Sequence, residues 1–549
     1  MKQRWLSLAG SGLAVAAVLA AWSVAGHGAP RPTAHAQAAT PASPTATAVP
    51  VGGRLQADNA CYVRLPDLPR AVYGGFGAYN DETGVLTFAG GAEKRSEENT
   101  IAYYDLYAMK LDGRAGGWTR IPYEGNAVGY LRDVDRGCRE MSSVRVSASR
   151  WLSVLGKDGC DGTTRRRGDI KELSVGASAS AAGVRWRAGS AIEGAVPWEL
   201  DSGRRELART FAAYDTQRGR LVFGQGTFND KRAETTREEI YAASSYGGAQ
   251  WKVNLLLPGG PIPARRYGSC AAYVNDPDTG VDGVIVVGGQ EGQPPGTGAQ
   301  TYKEVWWLDF SRTASGEWSN ITARFANMDD YGARREGACA YNPATKTLYT
   351  WFGRGSSGIP DGASRTVGLW RVNLSQLADA AAPLTWERLA KDNMKGVGAG
   401  GRRSIPNVYD WRNNRLFVMA GRGGSEELDE FAEVWALYPD VTGEACANLD
   451  PYAPFGSGVP TATPAPVPTA TPVPGVVAQA CPDLDRVVPA AVINAALANP
   501  STVLGWGQLC TPGLPPSPSN TWRSHLTLQN RAAAYHPIFN GVVFKCGCP

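Results

Sequence analysis

Four histidines occur in this 549-residue chain, His27 and His35 near its start and His525 and His536 near its end, with none between. Histidine supplies most general bases near neutral pH, the hydrolase triad and many zinc sites, so the body of the chain has no carrier for those reactions. It has arginine at recurring places instead: Arg70, Arg139, Arg209, Arg265 with Arg266, Arg334 with Arg335, and Arg402 with Arg403. A guanidinium holds a carboxylate through paired hydrogen bonds, which makes these arginines candidates for binding an acidic ligand. The other reading pairs them with nearby acids such as Glu140, Glu206 and Glu336, where they hold structure together. Carboxylate chemistry without histidine also stays open. Asp276, Asp278 and Asp282 alternate in one turn, a spacing a calcium ion can use, although the turn's glycine is not where an EF-hand loop has it and a solvated Asp/Gly hairpin fits as well. Thr163-Thr-Arg-Arg-Arg167 is a basic loop too short to signal nucleic acid.

The ten cysteines all follow the first 36 residues. Lys2 and Arg4 precede an apolar stretch from Leu6 to Gly26, and Ala34-His-Ala36 fits a signal-peptidase site before Gln37. The expectation is a signal peptide over 1–36 and a secreted or cell-surface protein. Left uncleaved, the same stretch approaches the length of a membrane span. Cleavage removes Lys2, Arg4 and Arg31, taking the formal charge from +4 to about +1. So balanced a chain has no bulk attraction for nucleic acid. An even cysteine count in an exported chain argues for disulfides. Residues 37–60 open with a Pro/Thr/Ala spacer that has too little apolar surface to fold.

The arginines are spaced by a repeat, clearest from Ala264 to Thr322. After Arg265-Arg266 come an alternating run (Tyr267–Tyr273), a turn, an apolar run ending in Gly288-Gly289, an aromatic run (Glu304–Phe310) and a lone Trp318. Short β-rich runs cut by Gly, Asn and Asp read as four antiparallel strands. Gly90, Gly156, Gly224, Gly288, Gly353 and Gly421 keep the beat at 64 to 68 residues, as do Trp118, Trp186, Trp251, Trp318 and Trp386. Six glycine marks against five tryptophans leave the last unit without its outer strand. Tyr62-Val-Arg-Leu-Pro66 resembles Trp118-Thr-Arg-Ile-Pro122 and supplies the missing piece, closing a ring with no free edge.

This order of basic residue, strand, glycine pair, aromatic strand and tryptophan resembles the kelch repeat of β-propellers, the superfamily that includes the central propeller of galactose oxidase. The resemblance implies an all-β fold: a six-bladed kelch-like propeller over 61–449, closed by an N-terminal strand. It also implies that the arginines, at the start of each innermost strand, gather around one mouth of the central channel, where kelch binding domains meet acidic ligands. Copper-radical oxidases of this architecture use histidine ligands that the propeller here lacks, so no cofactor is implied. The repeated turns of sialidase-like propellers are not visible.

Cys61, beside the closing strand, and Cys446, where the chain leaves the ring, form one expected disulfide. Cys138 and Cys160, flanking a hairpin, form another. Cys270 and Cys339 hold equivalent places in neighbouring units and either bond or pack. Residues 450–475 are a Pro/Thr-rich linker, extended by its prolines. Residues 476–549 form a small module with a helix expected from Pro489 to Ala498 and four cysteines, Cys481, Cys510, Cys546 and Cys548, read as two disulfides. A zinc site from Cys546, Cys548, His525 and His536 competes with that reading. The functional expectation is an exported, non-enzymatic binding protein that engages a protein or an acidic glycan at the channel mouth, with the tail for attachment. A carboxylate-using carbohydrate-active enzyme and a structural cell-surface component are the alternatives.

Overall fold

In the computed structural model the chain divides into two compact units, one reaching Phe455 and one beginning at Gly456. The described residues are 50–452, except 96–99, 112–115, 123–138, 157–169, 187–191, 194–206, 231–232, 237, 247–249, 292–299, 356–367, 391–401 and 424–428, with three short strands beyond them.

The first unit is a six-bladed β-propeller whose blades are four-stranded antiparallel meanders. The innermost strands are Phe76–Asn80, Ser142–Ser147, Phe211–Asp215, Cys270–Asp276, Ala338–Asn342 and Val408–Asp410. Each blade is covered on both faces by its neighbours, so the alternation of a half-buried strand gives way to continuous burial. The second strands Val85–Ala89, Arg220–Gly224, Thr347–Trp351 and Arg415–Met419 are buried along their whole length. The core is therefore a series of layers between blades. One layer joins Phe211, Val222 and Ile240 of blade 3 to Val284, Val286, Trp306 and Trp318 of blade 4. Four of the five recurring tryptophans, Trp186, Trp251, Trp318 and Trp386, are buried in these layers, while Trp118 is half-buried: Trp318 meets Phe211 edge-on at 6.5 Å, and Trp386 stacks on Tyr331 at 4.1 Å. Such aromatic pairs add about 1 kcal/mol beyond the area they bury.

The N-terminal strand Ala60–Leu65 completes blade 6, pairing antiparallel with Val434–Pro439 in a register that sets Ala60 opposite Pro439 and Leu65 opposite Val434. A fifth strand, Arg54–Ala57, covers its outer side. Cys61 and Cys446 are bonded across this seam, with Cα atoms 5.5 Å apart. Arg54 Nε donates to the Leu449 carbonyl at 2.8 Å beside them. Cys270 and Cys339 are also bonded, joining the innermost strands of blades 4 and 5.

The glycine marks need a correction. The repeating feature is a pair of residues with positive φ just past each second strand: 90–91, 155–156, 225–226, 288–289, 352–353 and 420–421. At the first place φ is +54 to +68°, and Leu155, Gln225, Phe352 and Ala420 stand there as well as glycine. At the second place φ is +90 to +132° and every residue is glycine. Gly90 and Gly288 are thus first members, Gly156, Gly353 and Gly421 are second members, and Gly224 still lies in its strand. The left-handed α region costs an L-residue about 1–2 kcal/mol, whereas φ near +100° is open to glycine alone. The second glycine's N–H then crosses to the next blade. Gly156, Gly226, Gly289, Gly353 and Gly421 donate to the carbonyls of Leu207, Arg266, Arg334, Arg402 and Val72 at 2.8 to 3.2 Å.

In the second unit the described strands Val487–Pro489, Gly541–Phe544 and Ala533–His536 form one antiparallel sheet. Pro489 ends a strand rather than opening a helix, and 490–498 lie outside the described residues. No helix among the described residues is long and apolar enough to cross a membrane.

Candidate functional site

Where the chain enters each innermost strand, one residue per blade takes a left-handed conformation: Gly74, Glu140, Arg209, Gly268, Glu336 and Ser404, with φ between +55 and +68°. Each of these N–H groups donates to the carbonyl of the equivalent residue in the preceding blade. The chain of bonds runs Glu140 to Gly74, Arg209 to Glu140, Gly268 to Arg209, Glu336 to Gly268, Ser404 to Glu336 and Gly74 back to Ser404, at 2.5 to 3.4 Å. Six hydrogen bonds thus close on themselves around the propeller axis. The glycine pairs set this ring in place: a Cβ on Gly226 would lie 2.7 Å from the Ala208 carbonyl and one on Gly353 2.8 Å from that of Arg335, both residues just before the ring.

The side chains carried there are strongly charged. Arg209 reaches Glu140 at 2.8 Å and Glu336 at 3.5 Å. Arg403 binds the other Glu336 oxygen at 3.1 Å, and Ser404 Oγ donates to it at 3.2 Å. Arg139 lies 3.4 Å from Glu140 and donates to the Tyr73 hydroxyl at 2.5 Å. Arg335 donates to the Tyr267 hydroxyl, and Arg209 lies over that tyrosine ring at 5.1 Å. Arg422, opposite Arg403 on the adjoining backbone, lies over the Tyr73 ring at 4.3 Å. Burial pushes the Glu336 carboxyl up, but Arg209, Arg403, Arg335 and Arg422 together overcome it and hold the group well below the usual carboxylate range. Five guanidinium groups, those of Arg139, Arg209, Arg335, Arg403 and Arg422, therefore gather with the Glu140 and Glu336 carboxylates at this end of the channel.

Of the nine arginines singled out from the sequence, the structure brings four to the ring: Arg139, Arg209, Arg335 and Arg403. Arg266, Arg334 and Arg402 turn away into the blades. Arg266 donates to the Gly288 carbonyl and Glu304, Arg402 to the Ala420 carbonyl and Glu433, and Arg334 to the Tyr331 carbonyl. Burial draws the Arg402 guanidinium down to about 9, opposed by Glu433, so it stays charged at neutral pH. Arg265 is exposed, 3.8 Å from Glu238, and Arg70 lies on the Tyr103 ring at 3.7 Å. Arg422, Tyr73 and Tyr267 at the ring were missed. The signal for the tyrosines was present: Tyr73 and Tyr267 stand in line with Arg139, Arg335 and Arg403, once the repeats are aligned on Gly74 and Gly268.

In the Asp276 turn, Asp276 pairs with Lys346 at 2.7 Å and accepts from Thr279, while Asp282 pairs with Arg218 at 2.7 Å and accepts from the Tyr273 hydroxyl. The two carboxylates are drawn to separate cations. Among the described residues no three acidic, Cys or His side chains are grouped to hold a metal ion. Cys138, Cys160, Cys481, Cys510, Cys546 and Cys548, and with them His525, lie outside the described residues.

Inside the ring the channel holds a cavity of about 70 Å³. Past Ser143, Ala212, Ala271 and Asn407, which line both spaces, it widens toward the opposite end into a chamber of about 250 Å³.

Set beside family models and curated proteins, the chain matches none. Among solved structures it is similar to the structure of YjhT, at 12% identity and a TM-score of 0.36, over 59% of this chain and 99% of that one. It is also similar to a chain in a cryo-EM structure of RAG in complex with one melted and one unmelted RSS, at 14% identity and a TM-score of 0.35, over 53% of this chain and 76% of that one.

Proposed function

We propose that this is an exported, non-catalytic binding protein of kelch type whose propeller grips an acidic ligand, a carboxylate-bearing protein segment or an acidic glycan, at the arginine-ringed end of its channel. The observation that carries the reading is the gathering of guanidinium groups at the ring: Arg139, Arg209, Arg335, Arg403 and Arg422 around Glu140 and Glu336. The two glutamates fix the arginines in place, and guanidinium groups gathered and oriented in this way suit an acidic ligand. Guanidinium groups held by neighbours lose little side-chain entropy on binding, which favours a bidentate grip on a carboxylate. A catalytic use of Glu336 fits less well, because a general acid needs a carboxyl held above its usual range and this one is held below it. The C-terminal unit, set apart by a Pro/Thr-rich stretch, suits attachment.

The test is titration of the full chain with a uronic-acid oligosaccharide and, separately, with an Asp/Glu-rich peptide. The wild type is expected to bind one of them at low salt and to lose it near 1 M salt, where the screening length is about 3 Å. R335A/R403A is expected to weaken binding by tenfold or more. It is also expected to lower the melting temperature, since Arg403 pairs with buried Glu336, so binding is compared well below that temperature. R335A alone, which spares that ion pair, is expected to weaken binding in the same direction. Binding that is indifferent to both salt and these substitutions would overturn the assigned site.

A further inference from the structure

At the far end of the channel from the arginine ring, the 250 Å³ chamber has a different character. Its walls come from the innermost strands of blades 2 to 6. Alanines stand beside tyrosines there, and the aromatic residues of the wall are Tyr214, Tyr273, Tyr341, Tyr409, Trp151 and Trp411, with Ser143, Thr216, Asn275 and Asn407 among the polar ones. Repetition of Ala-Tyr in three of these strands (213–214, 272–273 and 340–341) places aromatic rings around the axis at one level. Two of the hydroxyls are turned to other work. That of Tyr273 donates to Asp282, and that of Tyr409 donates to Asn414 and accepts from Asn342.

Among the described residues the one charged side chain lining the chamber is Arg145, and its charge is matched by two 2.9 Å hydrogen bonds to Asp81. Burial also draws this guanidinium down, with Asp81 opposing. Its plane lies 3.9 Å from the Trp411 ring, so the ion pair pins the indole at the rim, where Trp411 is 40% exposed. An exposed tryptophan held in this way by a buried ion pair is a built feature rather than a loose surface side chain.

We infer that this chamber is a second binding site, separate from the arginine ring, and that it takes a small, neutral molecule with a fused aromatic ring system. Charge disfavours an ionic ligand, since a cation would meet only the like charge of Arg145 and an anion would have to compete with Asp81 for it. Sugars are disfavoured for a related reason, because their hydroxyls need several convergent polar partners and the hydroxyls of Tyr273 and Tyr409 are engaged elsewhere. Size decides between one ring and two: an apolar cavity of about 150 Å³ takes up benzene, so one of 250 Å³ has room for a bicyclic molecule. Aromatic walls favour a flat ring over a flexible chain through stacked and edge-on contacts.

The experiment is titration of the full chain with 2-naphthol, followed by calorimetry and by tryptophan fluorescence, with 1-decanol as an aliphatic probe. Saturable, salt-insensitive binding of 2-naphthol, tighter than that of 1-decanol, is expected for the wild type and for R335A/R403A alike. W411A removes one aromatic contact at the rim and is expected to weaken it by about three- to tenfold. A340F fills the chamber and is expected to abolish it; if A340F does not fold, W411A alone decides. No saturable binding, equal binding of 1-decanol, or an affinity unmoved by W411A would overturn the inference. Loss of binding in R335A/R403A would place the probe at the arginine ring and overturn it as well.

Discussion

Glu336 is buried among arginines, and its carboxylate is what lets them sit together. Breaking a buried ion pair from one side leaves uncompensated charge and costs about 3–5 kcal/mol. Glu336→Gln is therefore expected to lower unfolding stability by that order in denaturant titration at pH 7, whereas the neighbouring Arg335→Ala is expected to cost far less. The same carboxylate ties stability to pH. Its folded value is depressed below the ordinary 4.5, so its contribution is complete above that value and is lost as acid protonates it. Stability measured down from pH 5 should fall more steeply for the wild type than for Glu336→Gln, and parallel curves would show that the carboxylate is not tied to the arginines. How legible this was depends on one residue of alignment. The doublets Arg334-Arg335 and Arg402-Arg403 are equivalent, but their counterpart is Arg266-Tyr267 rather than Arg265-Arg266. In each doublet the first residue goes into the blade and the second goes to the ring, and side-chain type alone does not reveal that division. Glu140 and Glu336 were readable as partners because they directly follow Arg139 and Arg335.

At the scale of elements, the paired positive-φ residues after each second strand both turn the chain and tie one blade to the next. The two places differ in what they tolerate. Ala420→Gly relieves a left-handed alanine at φ +56° and is expected to be neutral or stabilising by up to about 1 kcal/mol. Gly421→Ala, one residue later, puts a Cβ 2.6 Å from Ile405 Cγ2 at φ +98° and is expected to lower the melting temperature clearly. Equal effects of the two changes in a thermal scan would refute the distinction. Sequence reading found the period because glycine is conspicuous, yet it mixed the two places, since φ is not written in residue type when Leu155, Gln225, Phe352 and Ala420 also take positive values. The blades themselves were legible from strand-length apolar runs and turn residues. The aromatic chamber was not, because alternating Ala and Tyr reads the same whether a channel is filled or open, and Trp411 lies in a hairpin turn.

For the whole molecule, closure by the first strand is the step on which the propeller depends. Tyr62–Leu65 was readable as an outer strand from its likeness to the segment at Trp118, and Cys61 and Cys446 were readable as a staple from where they stand. Cys270 and Cys339 were only readable as neighbours, because equivalent places in adjacent blades bring Cα atoms close without fixing whether sulfurs bond. A chain beginning after Pro66 would expose the edge of Val434–Pro439, which is buried along its length, and is expected to aggregate. Cys61→Ser with Cys446→Ser leaves the strand paired but removes a closure spanning 385 residues, and is expected to reduce stability by up to about 5 kcal/mol. Unfolding by urea with and without reductant checks this, and identical curves for the double variant and the oxidised wild type would contradict it. The six hydrogen bonds at the arginine ring run in one direction around the axis, and so they behave as a hoop. One sector of a hoop cannot widen alone, since any gain in girth stretches every link, and bonds that polarise one another in series resist this together. The aperture is consequently of fixed bore, and for the ligand proposed above this makes width the first criterion of entry, a gauge set by the backbone before any side chain is consulted.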